Sequence, residues 1–189
     1  IQNQKQFKNP NAMTMLSLTE RVDLHAREKL LFLKTLIARQ PLIPLKKIVA
    51  DHICYNCENS ARYAEYFEAY NECAVLEDES IIGGRKIAYF RLKSRIDTIV
   101  GDIIYIELCD QKPDGSQREG VDHVEAYVRS NADLIKIVAG LDEVKPVVKK
   151  PRGDSFVYVF PLAPSFNLIL TEIPLILKIE ADREKADAN

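Results

Sequence analysis

The sequence is poor in several residue types that mark particular protein classes. Its 189 residues include no tryptophan, two methionines, three histidines and four cysteines. Four irregularly spaced cysteines in a chain of this length do not indicate a disulfide framework, so a reducing cytoplasm is the expected compartment. The longest apolar stretch, residues 99–108, contains Asp102 and Glu107 and is far shorter than the roughly 20 residues of a membrane span. The first dozen residues are polar, and no signal peptide is expected.

A strong charge of either sign is also missing. The formal net charge is −2, which argues against the strongly basic surface that is typical of nucleic-acid binding. The only compact basic run is Lys149, Lys150 and Arg152. We interpret it as a solvated loop, with a binding patch as the alternative. The hydrophobic fraction of 47% and the charged fraction of 29% are ordinary for a globular protein.

A short motif, Asp-His followed by an aliphatic residue, occurs twice. The copies begin at Asp51 and at Asp122. Each is followed about one module later by a predicted strand with a single glutamate, Glu107 or Glu172. The His-to-Glu spacings are 107 − 52 = 55 and 172 − 123 = 49. Internal repetition of this kind indicates two related structural units.

Both units have the predicted order strand, helix, strand, strand, strand. In the first, the strands cover 48–55, 74–79, 86–92 and 101–109, with a helix over 61–70 that Asn59 or Ser60 can cap. In the second, the strands cover 121–128, 144–149, 156–160 and 167–172, with a helix from Asn131 to about 141 and a turn over 161–166. Two sequential βαβββ units predict an α+β fold, in which helices cover one face of a curved mixed sheet and the other face forms a cleft.

The rest of the chain flanks these two modules. Residues 1–15 are expected to form a disordered leader, and residues 16–45 an N-terminal helical extension ended by Pro41 and Pro44. The modules then cover 46–120 and 121–174, with the exposed turn 112–116 between them. Residues 175–189 are expected to form a charged helical tail.

Alternation along the predicted strands indicates which side chains share a face. The less apolar faces carry His52 with Cys54, Glu107 with Cys109, and His123 with Glu125. Glu172 shares its face with Leu168 and Leu170, which is the most apolar of the four. The nearby Cys54-x-x-Cys57 motif is interpreted as buried small side chains, with redox or metal use as the alternative.

Two imidazoles and two carboxylates would form a mixed nitrogen and oxygen metal site. Such a set suits Zn²⁺, Fe²⁺, Mn²⁺, Ni²⁺ or Co²⁺, and the ion would act as a Lewis acid toward a substrate oxygen. The candidate ligands are His52, Glu107, His123 and Glu172. The alternative is that these four polar residues only line a wet groove.

Several segments together resemble the YecM-type branch of the vicinal oxygen chelate superfamily, which includes glyoxalases, bleomycin-resistance proteins and dioxygenases. They are residues 50–53, 82–87, 90–92, 106–108 and 119–125, and the resemblance extends over about 45–130. It implies two βαβββ modules around a divalent metal, with ligands on the first and last strand of each module. At the end of the last strand the family pattern has His-Pro, where this chain has Glu172-Ile173-Pro174.

The resemblance leaves two functions open. The first is a metal-dependent lyase, isomerase or dioxygenase-like enzyme for a small oxygen-rich molecule, and the second is a non-catalytic protein that binds a small ligand. In the first, Glu125 is the candidate general base or else supports a ligand or an ion pair. Arg91 is the candidate for binding a substrate carboxylate or else pairs with Glu107 or Glu125. Tyr89, Tyr105 and Tyr127 line the pocket or fill it. The expected assembly is a monomer or a homodimer.

Overall fold

The computed structural model describes residues 45–98, 100–143, 145–152 and 155–187, together with five helical residues nearer the N-terminus: Glu20, Val22, Arg27, Glu28 and Leu31. The predicted leader and most of the predicted N-terminal helical extension lie outside the described residues. In the described part of the chain, no helix is long and apolar enough to cross a membrane.

Two βαβββ modules follow one another, which confirms the predicted fold class. After a short 3₁₀ turn at Leu45–Lys47, the first module contains β1 (Ile48–Asn56), α1 (Ser60–Cys73), β2 (Ala74–Ile82), β3 (Arg85–Ile96) and β4 (Ile103–Cys109). The second contains β5 (Gly120–Val128), α2 (Asn131–Asp142), β6 (Val148–Arg152), β7 (Ser155–Ala163) and β8 (Phe166–Thr171). A C-terminal helix, α3 (Leu175–Asp187), ends the described chain.

The eight strands form one mixed sheet with the order β2-β3-β4-β1-β5-β8-β7-β6. Within each module the first and last strands are parallel neighbours, β1 with β4 and β5 with β8. The two modules meet where β1 and β5 pair in antiparallel fashion. From either edge inward, the sheet contains the second, third, fourth and first strand of one module. An approximate twofold axis therefore passes between β1 and β5.

Local signals set the ends of the helices. Asn59 caps α1, because its side chain accepts a hydrogen bond from the backbone N–H of Arg62 at 2.9 Å. Ser130, rather than the predicted Asn131, caps α2, because its hydroxyl accepts from the N–H of Asp133 at 3.4 Å. The β2–β3 hairpin turns at Gly83 and Gly84, where both φ angles are positive (60° and 79°), as glycine allows.

Two predicted boundaries in the second module are wrong. The predicted strand over 144–149 begins only at Val148, because the N–H of Val147 is held by the Asp142 carboxylate at the end of α2 (2.7 Å). The predicted turn at 161–166 is shorter, since β7 continues through Pro161 to Ala163. β6 pairs with β7 only as far as Val159, so Pro161 lies beyond the paired edge, where its missing N–H is tolerated.

The sheet has a different hydrophobic cluster on each face. The larger cluster lies between the sheet and helices α1 and α2, and includes Ile53, Phe90, Val124, Leu134 and Leu168. The opposite face carries a smaller cluster of Cys54, Ile87, Tyr89, Cys109, Leu175 and Ile179. The last two residues belong to α3, so the C-terminal helix covers part of the face that the sequence predicts to be a cleft.

A buried hydrogen bond attaches the start of α3 to the sheet. The N–H of Leu175 donates to Oδ2 of Asp51 at 2.6 Å, and Asp51 is 3% exposed. An acidic group at a helix N-terminus is also favoured by the helix dipole. The first residue of the repeated Asp-His motif therefore positions the C-terminal helix.

Candidate metal centre

Two rows of side chains cross the middle of the sheet on the face that α3 partly covers. Strand register aligns Arg91, Tyr105, His52, Glu125 and Ile169 in one row. The second row contains Tyr89, Glu107, Cys54, His123 and Asn167. The approximate twofold axis exchanges the rows, so it equates His52 with His123, Cys54 with Glu125, and Glu107 with Ile169.

Three of the four predicted ligands come together at the centre of these rows. The ligand atoms of His52, Glu107 and His123 all lie within 4.8 Å of one another. Nε2 of His52 is 3.3 Å from Oε2 of Glu107, and the two imidazole centroids are 6.0 Å apart. Both histidines are buried, whereas the Glu107 side chain is 13% exposed. The group is therefore largely enclosed by the protein, with His52 the most deeply buried of the three.

The histidine ring nitrogens are unusually short of partners. Among the residues that the structure describes, none makes an aligned hydrogen bond to either ring nitrogen of His52 or to Nε2 of His123. Nδ1 of His123 lies 2.8 Å from Oδ2 of Asp122. If Nδ1 donates that bond, the lone pair is on Nε2, which is the tautomer a metal ligand needs. Buried polar atoms without partners are rare in folded proteins and point to a bound group.

Neighbouring charges shift the pKa values of this group in opposite directions. Burial disfavours a charged His52, but the carboxylates of Asp51, Glu107 and Glu125 outweigh it and raise its pKa to about 10. Burial acts to raise the pKa of Glu107, but His52 and His123 lower it more, so that it lies well below its usual range. Both shifts have the same cause: the carboxylates around His52 favour a positive charge at this position.

Glu125, the predicted general base, is buried and engaged in an ion pair. Both of its carboxylate oxygens lie 2.7 Å from Nη1 of Arg152. The Glu125 side chain is 2% exposed and that of Arg152 is 31% exposed. Arg152 lies in β6, whereas the sequence interpretation assigned it to a solvated loop. The sequence analysis left an ion pair open as an alternative role for Glu125, and Arg152 is its partner in the structure.

Arg91 lies at the outer end of its row, away from the histidines. Its Nε donates to Oε1 of Glu77 at 2.5 Å, and its side chain is 51% exposed. The sequence offers Glu107 or Glu125 as partners for Arg91, but the β2–β3 pairing brings Glu77 to it. The arginine beside the central carboxylates is Arg152.

The three predicted pocket tyrosines occupy different positions on this face. Tyr89 is buried beside Glu107, and it also lines a cleft of about 260 Å³ together with Leu175, Ile179 and Arg183. Tyr105 is buried next to His52 in the row. Tyr127 is half-buried farther along β5, two residues beyond Glu125.

Glu172 is not brought to the group. It is exposed and follows the last residue of β8, Thr171. Its alternation matches that of Leu168 and Leu170, whose side chains are in the larger core under the helices. Strand register equates Glu107 instead with Ile169, three residues earlier, which faces the centre opposite Glu125.

Two further cysteines complete the centre. Cys54 lies between Glu107 and His123 in its row, and its Sγ is 3.6 Å from Sγ of Cys109. Cys57, its partner in the C-x-x-C motif, is instead part of the larger core on the other face. Alternation along the strands places Cys54 on the same face as His52, and Cys109 on the same face as Glu107. The contact between the two sulfurs depends in addition on the β1–β4 register.

Comparisons with known proteins agree with this architecture. The chain matches a family model described as "YecM protein" over residues 28–155, whereas no curated protein matches it. The solved structure titled "Structural Genomics, Protein EC4020" is similar with a TM-score of 0.65 and 19% identity, covering 96% of this chain and 98% of that one. At this identity the likeness concerns the fold alone.

Weaker likenesses extend to two plant enzymes. Glyoxalase I from Zea mays has 14% identity and a TM-score of 0.45, covering 65% of this chain and 42% of the enzyme. The hydroxyglutarate synthase from Oryza sativa, solved with 2-oxoadipate, has 10% identity and a TM-score of 0.46, covering 94% and 87%. The family model, by contrast, spans about two thirds of this sequence. The chain therefore belongs to the YecM family and has the vicinal oxygen chelate fold.

Proposed function

We propose that the protein binds one divalent transition metal through His52, Glu107 and His123, and that it acts there on a small, oxygen-rich molecule. One observation carries the proposal. In two buried imidazoles, three of the four ring nitrogens have no aligned hydrogen bond from a described residue, and the ligand atoms of both rings lie within 4.8 Å of each other and of the Glu107 carboxylate. Two imidazoles and one carboxylate are a common set for Zn²⁺, Fe²⁺, Mn²⁺, Co²⁺ or Ni²⁺.

Three protein ligands leave coordination positions for a substrate. Bound there, the ion would supply Lewis-acid stabilisation of negative charge on a substrate oxygen. The symmetry-related position that could hold a fourth ligand is Ile169, which is 9% exposed and has no donor atom. Glu172 was the predicted fourth ligand, but its exposure and alternation favour the three-ligand set.

Arg152 is the best candidate for recognising an acidic group on the substrate. Its guanidinium is fixed by Glu125 through one nitrogen, and its side chain remains 31% exposed. Planar N–H groups held in this way suit a carboxylate or phosphate. We therefore assign the binding of a substrate carboxylate to Arg152 instead of Arg91, the candidate from the sequence.

Glu125 remains a candidate general base. Both of its oxygens accept from Arg152, so Arg152 would have to release one of them during proton transfer. That requirement favours the second candidate function, a protein that holds a small ligand without catalysis.

Both modules are in one chain, so a monomer has the whole ligand set. The closely spaced thiols of Cys54 and Cys109 suit a reducing cytoplasm.

Elemental analysis of protein purified without a metal-affinity tag tests the metal proposal. We expect about one equivalent of a transition metal in the histidine position and thermal stabilisation of the stripped protein by at least one of the five ions. The double variant His52→Ala, His123→Ala should lose the equivalent bound at this position and the stabilisation that this equivalent gives. His25→Ala, which changes the third histidine of the chain, is the matched control. A stripped protein that melts at the same temperature with every ion would exclude the proposal.

A substrate screen separates the two functions. Wild-type protein loaded with metal is incubated with small α-hydroxy and α-keto acids, and both consumption and binding are measured. Turnover that disappears in Glu125→Gln while binding is retained supports the enzyme. Binding without turnover, lost in Arg152→Ala, supports the non-catalytic protein.

A further inference from the structure

Two buried thiols lie directly beside the histidine group. Sγ of Cys54 and Sγ of Cys109 are 3.6 Å apart, and neither cysteine is in a disulfide. Together with Glu107 they form a second set whose ligand atoms are all within 4.8 Å of one another. Cys54 also contacts the side chain of Asn56, with 3.7 Å between Sγ and Oδ1.

The two oxygens of the Glu107 carboxylate face different groups. Oε2 is 3.3 Å from Nε2 of His52, and Oε1 is 3.2 Å from Sγ of Cys109. The carboxylate therefore lies between the imidazoles and the thiols. This is the arrangement in which one carboxylate can serve two neighbouring ions.

The spacing of the sulfurs suits ligands of one metal ion. Two thiolates at about 2.3 Å from a tetrahedral Zn²⁺ are about 3.8 Å apart, close to the 3.6 Å between Cys54 and Cys109. A disulfide would need the sulfurs at about 2.05 Å. The surroundings are also suitable, because Ile87, Leu175 and Ile179 form an apolar cover over the thiols.

We propose that Cys54, Cys109 and Oε1 of Glu107 form a second metal position for a thiophilic divalent ion such as Zn²⁺ or Cd²⁺, next to the histidine position and bridged to it by Glu107. The proposal rests on the proposed function only through the shared carboxylate. Cysteine thiolates favour softer ions than imidazole and carboxylate do. The two positions should therefore differ in metal preference, and the centre would be binuclear.

Cobalt titration of the stripped protein under a phosphine reductant tests this proposal. Co²⁺ bound by thiolate gives a charge-transfer band in the near ultraviolet, whereas Co²⁺ bound by nitrogen and oxygen does not. We expect two equivalents to bind, with the band developing for one of them. The variant Cys54→Ser, Cys109→Ser should bind one equivalent and lack the band. Cys57→Ser, which changes a cysteine in the core on the other face, should behave as the wild type.

The outcomes separate this proposal from the proposed function. A single equivalent without the band overturns the thiolate position and leaves the histidine position intact. A single equivalent with the band overturns the binuclear centre. If the band and two equivalents persist in His52→Ala, His123→Ala, it is the histidine assignment that fails. The wild-type titration decides the matter even if a variant does not fold. Thiol counting and mass measurement before reduction would reveal a Cys54–Cys109 disulfide in place of a metal, which also overturns the proposal.

Discussion

Replacing Ile169 by glutamate tests whether the strand register identifies the missing fourth ligand. Ile169 is the twofold equivalent of Glu107 and faces the centre opposite Glu125. A carboxylate at this position would restore the symmetric set of two histidines and two glutamates. We expect Ile169→Glu to bind the metal more tightly than the wild type and to be less stable without it.

The magnitudes follow from burial and linkage. Ile169 is 9% exposed, so its replacement removes most of the roughly 2–3 kcal/mol that burial of this side chain contributes. In a chain of this length, about 1 kcal/mol corresponds to about 2–4 °C, so the stripped variant should melt roughly 5–10 °C lower. If the new ligand tightens binding about tenfold, saturating metal should stabilise the variant by about 1.4 kcal/mol more than it stabilises the wild type.

Melting curves with and without metal measure both effects, and two controls isolate them. Ile169→Gln loses the same apolar contact without gaining a charge, so its metal-dependent shift should not exceed that of the wild type. Glu172→Gln, at the ligand position predicted from the repeat spacing, should leave affinity unchanged. Equal metal-dependent shifts for Ile169→Glu and Ile169→Gln, or weaker binding in Glu172→Gln, would refute the register argument.

Three further outcomes are expected. Arg152→Ala leaves the Glu125 charge buried and unpaired, so urea unfolding should show a loss of about 3 kcal/mol. Adding Glu125→Gln should recover most of that loss, and no recovery would contradict the ion-pair explanation. The carboxylates around His52 raise its pKa in the folded protein from the usual 6.5 to about 10, so the stripped protein binds the extra proton between these pH values. Its free energy of unfolding should therefore fall as the pH rises through this window, and a flat profile in urea melts would contradict a charged His52. Leu175→Ala removes a buried contact of α3 with the sheet and should cost about 2–3 kcal/mol. Limited proteolysis should then cut this helix faster than in the wild type, and unchanged cleavage would show that the contact does not hold it.

The fold could be predicted from the sequence because its signals are local and repeated. Alternating side chains indicated the strands, Asn59 the start of α1, and Gly83–Gly84 the hairpin between β2 and β3. The position of α3 could not be predicted in this way. It depends on a hydrogen bond between Leu175 and Asp51, residues that are 124 positions apart in the sequence.

The candidate centre was only partly predictable for the same reason. Alternation indicates the face of a side chain but not its neighbour on the next strand. It therefore indicated the shared face of His52 and Cys54, but not the contact between Cys54 and Cys109. The repeat spacing proposed Glu172, three residues beyond the register equivalent of Glu107. Because loops in the two modules differ in length, spacing alone cannot resolve a shift of that size.

The differences between the two halves have a common consequence for how a ligand would be oriented. Across the twofold axis, Cys54 corresponds to Glu125, and Glu107 corresponds to Ile169. The side formed by β1 and β4 therefore presents sulfur and carboxylate ligands. On the side formed by β5 and β6, the carboxylate is already paired with Arg152. A symmetric centre would accept a small molecule equally well in two orientations. We infer that the asymmetric centre of this protein favours a single orientation of a bound small molecule. The oxygen donors of the molecule would lie toward the ligands on β1 and β4, and its anionic group toward Arg152.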